Sequence, residues 1–201
     1  MKIDLKKELK NLYSASVNNA VLVNVPELNF LMVDGTGDPN TSADYQAAVE
    51  ALYSLSYALK FAVKKDAAID YAVMPLEGLW WTEDMTEFSS DHKDIWQWTA
   101  MIMQPEYVTA SLYQDMLTQV AKKKPMPSLS KVKYFSFNEG MCAQVMHIGP
   151  YSSEGPTIER LHGFIKDKGL RLKGKHHEIY LSDPRRSAPE KMKIIIRQPV
   201  I

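Results

Sequence analysis

Cysteine is almost missing from this sequence. Cys142 is the single one in 201 residues, so no internal disulfide can form, and its place in an apolar strand-like run marks it as a small buried side chain. An excess of either charge is missing too. Lys and Arg number 24, Asp and Glu 24, for a net charge of zero. Nothing steers such a chain to a polyanion, and no nucleic-acid partner is expected. No stretch approaches the roughly 20 apolar residues that a membrane helix needs, so no membrane partner is expected either. The opening run Met1–Glu8 alternates charged and apolar residues and lacks the apolar core of a signal peptide. These absences point to a cytoplasmic globular protein. The 45% hydrophobic and 24% charged residues are ordinary for that class, and the length suffices to bury a core.

Cofactor and metal motifs are lacking as well. Gly35-Thr36-Gly37 has no third glycine and opens no βαβ unit, so it is not a dinucleotide fingerprint. No P-loop occurs. His176-His177-Glu178 has the residue types of a metal site, but neighbours on a strand point to opposite faces, and no second ligand set stands at metal spacing. No metal and no cofactor is therefore expected. Ser128-Leu129-Ser130-Lys131 matches Ser-x-x-Lys without the companion motifs of serine acylases, and it reads as linker.

What the chain has in quantity is aromatics and methionine: 10 Tyr, 4 Trp and 11 Met. Filling a core is their default use, and lining a pocket for a flat, greasy ligand is the other. Hydrophobic periodicity orders the chain around them. After a charged lead-in over 1–19, strands are expected at 20–25 and 30–34, with Pro26 between them and a Gly/Pro turn following. A helix over 42–64 has Thr41 and Asp44 as its capping box and Ala48, Leu52, Leu55, Leu59 and Ala62 as its buried stripe. A strand at 69–74 leads to a turn at 75–78, an exposed acidic loop at 82–94 and an aromatic strand at 94–103. The helix over 106–123 carries Val108, Leu112, Met116 and Val120 four apart, then runs into the linker Lys122-Lys123-Lys124-Pro125-Met126-Pro127. The order then restarts. Strands at 132–137 and 141–148 precede the Gly149-Pro150-Tyr151 turn, a helix over 155–168 closed by Gly169, and strands at 176–181 and 192–198.

Both halves thus read strand, strand, turn, helix, strand, loop, strand. Asp70-Tyr71-Ala72-Val73-Met74-Pro75 echoes Ile179-Tyr180-Leu181-Ser182-Asp183-Pro184, and Met103-Gln104-Pro105 echoes Arg197-Gln198-Pro199. The chain is read as a single α+β domain over 1–201, made of duplicated β-α-β-β units. The first repeat, with its connecting helix, spans 20–124 and the second spans 125–201, with a pocket expected at their junction.

The stretch around 176–186 carries the chemistry. Strand alternation sends Ile179 and Leu181 to the core and leaves His176, Glu178 and Tyr180 on the other, open face. An ordinary solvated strand face is the plain alternative. In a desolvated aromatic groove the Glu178 carboxyl would rise in pKa and act as a general base, or it would attract a cationic ligand assisted by ring faces. The letter repeat places Tyr71 where Tyr180 lies. Trp80, Trp81, Trp96 and Trp98 can wall such a groove or cover core edges, and a one-residue slip in register exchanges the partners of each pair. The run His147-Ile148-Gly149-Pro150-Tyr151 can place His147 or Tyr151 at the rim. His147 shares its strand face with Ala143 and Val145, which reads as a satisfied core-edge histidine. Asp183-Pro184-Arg185-Arg186 reads as a turn fixed by an Arg–carboxylate pair.

His147-x-Gly149-Pro150-Tyr151, the helix after it and Glu178-x-Tyr180 resemble the GyrI-like small-molecule-binding domain family. The run from His176 to Arg186, continued through Pro189-Glu190-Lys191-Met192-Lys193 and Arg197-Gln198-Pro199-Val200, together with Pro75-Leu76-Glu77-Gly78-Leu79-Trp80-Trp81, is similar to a stand-alone subfamily, the cyclopropanoid cyclopropyl hydrolases. The resemblance spans nearly the whole chain from about residue 20. It implies a pseudo-twofold pair of β-α-β-β units around a ligand groove. Relatives serve as effector domains of multidrug-responsive regulators, in which an acidic groove residue meets cationic aromatic drugs, and others bind gyrase. The stand-alone members use an aromatic cage and open the cyclopropane of DNA-alkylating natural products. No DNA-binding helical module precedes the domain here, so a complete transcription regulator is not expected.

The resulting expectation is a detoxifying hydrolase for planar, hydrophobic, polycyclic molecules. Glu178 is its base and Tyr71 or Tyr180 its hydrogen-bond donor. Trp80, Trp98 and Tyr151 are cage residues, with Trp81 and Trp96 next. A non-catalytic drug-binding or sensing protein, and a gyrase-interacting protein, are the alternatives; the residues give no support of their own to a protein partner.

Overall fold

Proline at 26 and glycine at 140 fall where the sequence suggests breaks between strands, yet the chain runs through both. In the computed structural model, which describes residues 1–88 and 92–201, one 16-residue strand spans Val21–Thr36 and another of 16 residues spans Lys133–Ile148. Gly140 sits in the second at φ 76°, a left-handed conformation that glycine takes without steric cost. The strand continues through that point. Pro26 lies before Asn29, where the pairing with Gln97–Gln104 begins, so its missing N–H takes nothing from that ladder.

In chain order the elements are β1 (Lys2–Ile3), α1 (Leu5–Glu8), α2 (Lys10–Tyr13), β2 (Val21–Thr36), α3 (Ala43–Ala67), β3 (Asp70–Tyr71), β4 (Leu76–Trp81), β5 (Gln97–Gln104), α4 (Ala110–Lys123), β6 (Lys133–Ile148), α5 (Gly155–Asp167), β7 (His176–Tyr180) and β8 (Lys193–Pro199). By internal packing they fall into two units, Met1–Leu5 with Leu28–Phe137, and Lys6–Glu27 with Asn138–Ile201.

In the first unit β5 pairs antiparallel with both β2 and β4. The helix α3 begins at Ser42, whose hydroxyl accepts the Tyr45 N–H at 3.2 Å; this replaces the expected Thr41 box. Its stripe of Ala48, Leu52, Leu55 and Leu59 is buried as expected, with Ala51 and Val63 added and Ala62 only half-buried. The side chain of Gln104 reaches Ser56 of α3 at 3.1 Å, so α3 lies on the face of β5 that carries Trp98, Ala100, Ile102 and Gln104. Residues 76–81 form a strand where a turn was expected through Gly78. There is no room for a side chain at 78: a Cβ would stand 2.7 Å from the Trp80 indole nitrogen. The expected strand at 69–74 shrinks to Asp70–Tyr71, which pairs in parallel with Lys2–Ile3 and so gives structure to the lead-in. Lys64 and Lys60 hold Asp70 at 2.8 and 3.2 Å, and their hydrogen bonds keep its carboxyl below the usual carboxylate range. The expected loop at 82–94 contains short 3-10 turns at Met85–Glu87 and Lys93–Ile95; its residues 89–91 lie outside the described residues. Of the α4 stripe, Val108 is buried and Leu112, Met116 and Val120 are half-buried, while Tyr113 is the buried residue within the helix and donates to the Val132 carbonyl at 2.7 Å.

In the second unit β8 is central, antiparallel to β6 and β7. Leu161 and Ile165 of α5 pack with Ala143, Val145, Ile196 and Val200. Gly169 follows the helix at φ 72°, the conformation that ends a helix without strain in glycine. The protein is therefore a mixed helix-and-sheet fold of the α+β kind, in which β5 lies between β2 and β4 and β8 lies between β6 and β7.

Candidate functional site

β7 is short, and its alternation concentrates polar groups on one side. His176, Glu178 and Tyr180 occupy positions i, i+2 and i+4, so they share a face. The His176 Nε2 lies 3.1 Å from Glu178 Oε1, and the Tyr180 hydroxyl donates to Glu178 Oε2 at 2.8 Å. Glu178 is 8% exposed. The expectation of an open face is corrected here. Glu178 pairs across the ladder with Ile196, cross-strand partners point the same way, and Ile196 belongs to the α5 core. The Glu178 row therefore looks toward the helix side, with both sides of β7 covered. Tyr151 stands against Tyr180 with ring centres 5.8 Å apart and planes at 81°. Such an arrangement offers a buried carboxylate with a hydrogen-bond partner on each oxygen and two phenols at one end.

The opposite face of β7 carries a second polar cluster that the sequence reading missed. His177 Nδ1 meets Glu139 Oε1 at 2.9 Å, and Arg197 Nη1 reaches Glu139 Oε2 at 3.4 Å. Arg197 also donates to Gln144 Oε1 at 3.1 Å and to the Leu12 carbonyl at 2.6 Å, while Gln144 donates to the Asn11 carbonyl at 2.9 Å. Burial pushes the Glu139 carboxyl up, but the charges and hydrogen bonds of His177 and Arg197 outweigh it and hold the group below the ordinary range. These bonds fasten the chain at residues 11–14 against the sheet. A readable signal existed: Arg197 ends the run Ile194-Ile195-Ile196, and a charge inside an apolar strand needs a buried partner. Glu139, 58 residues away, could not be named from spacing.

His147 behaves as the sequence reading expected. It is buried, with Nδ1 3.0 Å from Thr157 Oγ1 and Nε2 3.3 Å from the Pro150 carbonyl. Cys142 is buried and free, and burial, reinforced by the Glu139 charge, pushes its thiol up. Arg185 clamps Asp183 through two 3.0 Å bonds, as expected for a structural turn. Among the described residues no group of three or more His, Cys, Asp or Glu could hold a metal ion.

In the first unit the structure sorts the tryptophans. Trp80 and Trp98 face each other across the β4–β5 ladder, and Tyr45 of α3 lies 5.6 and 5.0 Å from their rings. Trp96, just ahead of β5, meets Trp80 at 5.6 Å and stacks on Phe88 at 4.7 Å. Trp81 points to the other face, where its indole donates to Gln97 at 3.1 Å. Tyr71 is not placed as the letter repeat suggested. It lies in the two-residue β3, which pairs with β1 and not with β2, β4 or β5, while the strand that precedes β5 is β4, as β7 precedes β8. Its hydroxyl is buried without a hydrogen-bond partner among the described residues, and burial pushes its pKa up.

A model of the GyrI-like small-molecule-binding domain matches residues 19–199. The chain belongs to the GyrI-like family. An uncharacterised conserved protein from Listeria innocua is 44% identical to this GyrI-like chain, with a TM-score of 0.92 over 99% of this chain and 100% of the other. A hydrolase from Listeria innocua is 43% identical, with a TM-score of 0.89 over 100% of both chains. Another solved structure of a hydrolase from that organism is 42% identical, with a TM-score of 0.86 over 99% of this chain and 100% of the other. Comparison with curated proteins returns no match. No helix of the GyrI-like chain, among the described residues, is long and apolar enough to cross a membrane.

Proposed function

We propose that this GyrI-like protein binds a flat, hydrophobic, polycyclic molecule and adds water to an electrophilic cyclopropane in it, disarming a DNA-alkylating compound in the cytoplasm without a cofactor. The observation that carries the reading is Glu178, a buried carboxylate with an imidazole on one oxygen and a phenol on the other. That the chain is more than two-fifths identical to solved structures described as hydrolases supports a catalytic rather than a purely binding role.

In this reading Glu178 takes a proton from water. The water oxygen bonds to a ring carbon, and the cyclopropane bond to the carbon conjugated with the carbonyl breaks. Its electron pair moves to the carbonyl oxygen, which takes a proton from a phenol. We assign Tyr180 as that donor, because its hydroxyl already touches Glu178 and the proton gained from water can return to it across the 2.8 Å bond. Aromatic surface is present in each unit. In the second unit it is Tyr151, 38% exposed. In the first it is Trp81, half-exposed, with Trp80, Trp96 and Trp98 as the packed aromatic layer. We further infer that the two units descend from one duplicated β-α-β-β unit, which their common strand order supports.

The test is incubation with a cyclopropane-bearing alkylator, with ring-opened product followed by mass spectrometry. Turnover by the native protein, lost in Glu178→Gln while binding persists, is the expected result. Stoichiometric binding with no product would refute the hydrolase and leave a drug-binding or sensing protein. Gyrase inhibition by protein that binds no small molecule would point to a gyrase-interacting role.

A further inference from the structure

Glu178 is held by its own strand. With residues alternating along β7, His176 and Tyr180 stand one pleat to either side of it on the same face, and each takes a different carboxylate oxygen. The sequence alone leaves His176 as a flanking residue. The structure gives it 3% exposure and a 3.1 Å bond to Oε1. An ionised carboxylate only accepts hydrogen bonds, so in this pair the imidazole must donate, and its proton must sit on Nε2. A second imidazole, His162 of α5, is near enough to His176 to feel its charge. Burial, and then the charge of His176, hold His162 below the usual histidine range, and its own Nε2 is buried without a partner among the described residues. The Glu178 carboxylate has its imidazole partner in His176. At the other end Tyr151 packs edge-on against Tyr180 and restrains the phenol that holds Oε2.

We propose that His176 is a positioning residue: it donates Nε2–H to Glu178 Oε1 while Tyr180 holds Oε2, so that the carboxylate keeps one orientation before a substrate arrives. The catalytic consequence rests on the reading of Glu178 as the base; the hydrogen bond itself does not. A base held at one angle acts on a water at one place, and losing such support costs rate rather than binding.

Two measurements on the full chain test this. Long-range 1H–15N spectra of the native protein at neutral pH should show His176 Nε2 as the protonated nitrogen, and Glu178→Ala should disturb that signal. A bare Nε2, or a signal indifferent to Glu178→Ala, overturns the proposal whatever the protein catalyses. With a cyclopropane-bearing alkylator as probe, His176→Leu should lower kcat about 10- to 100-fold with KM nearly unmoved. His176→Gln, which keeps an amide N–H, should recover most of the loss. If His176→Leu keeps the native kcat while Glu178→Gln is dead, positioning is refuted and the base reading stands. If Glu178→Gln turns over at the native rate, the base reading fails and the nitrogen spectrum alone decides the role of His176. Should His176→Leu not fold, the glutamine variant and the spectrum still decide.

Discussion

Replacing Gly35 by alanine should weaken the first unit, and the reason is space alone. Gly35 pairs with Trp98 across the β2–β5 ladder, and the indole lies over the glycine. A Cβ at 35 would stand 2.2 Å from Trp98 Cζ2 and 2.3 Å from Cη2, more than an ångström inside ordinary contact. Trp98 is 1% exposed, and Tyr45 closes it from the helix side with ring centres 5.0 Å apart at 86°. Moving the ring therefore disturbs a close-packed layer. Overpacking of this kind costs about 1–3 kcal/mol, against a gain of about 0.4–1 kcal/mol from stiffening the unfolded chain. The net expectation is a loss of about 1–2 kcal/mol, or a fall in Tm of about 2–4 °C per kcal/mol for a chain of this size. The control is Gly163→Ala in α5. Nothing lies within 4 Å of a Cβ there, and helix propensity predicts a gain of up to about 1 kcal/mol. Urea and thermal unfolding, read by tryptophan fluorescence and far-UV circular dichroism, compare the three proteins. If Gly35→Ala matches or exceeds the native stability while Gly163→Ala gains as expected, the indole has another place to go and the reasoning from its fixed position is wrong.

Three further outcomes follow from the buried polar groups and caps. Arg197→Met should cost about 3–5 kcal/mol, because it leaves Glu139 buried with its charge less compensated and frees the Leu12 carbonyl; Arg197→Met with Glu139→Gln should lose less than the single change in urea melts. Glu139 has a folded-state pKa below its unfolded value of 4.5, so its contribution is in place above that value and is lost as pH falls through the depressed one; acid unfolding curves of Glu139→Gln should be flatter than native in that window. Ser42→Ala removes the α3 cap and should lower stability by about 1 kcal/mol, recovered in part by Ser42→Asp.

Periodicity found most helices and strands because it needs only local information. The α3 stripe of Leu52, Leu55 and Leu59, the α5 pair Leu161 and Ile165 and the β7 alternation stood at the right spacing before any fold was known. Boundaries failed where a residue with a strong local preference met a stronger distant one. Pro26 and Gly140 sit inside long strands. Leu76–Trp81 is extended despite Pro75 and Gly78, since an indole fills the place of a side chain at 78. The letter repeat misled at Tyr71, because similarity of a few letters carries no information about which strands pair. At the site, the row His176, Glu178, Tyr180 was legible as a shared face, while the coverage of that face by the α5 side was not. Burial of a face depends on what packs upon it, and that partner lies elsewhere in the chain.

The amino-acid order by itself determined the α+β character, the aromatic wealth, the family likeness and the choice of Glu178 with Tyr180 as neighbouring groups, because alternation and spacing are properties of adjacent residues. Only the tertiary structure decided that His176 binds the same carboxylate, that His177 turns away to Glu139 and Arg197, and which indole of each tryptophan pair meets Tyr45. Those facts depend on side chains brought together from positions up to 58 residues apart on strands and helices, and no local rule measures that distance.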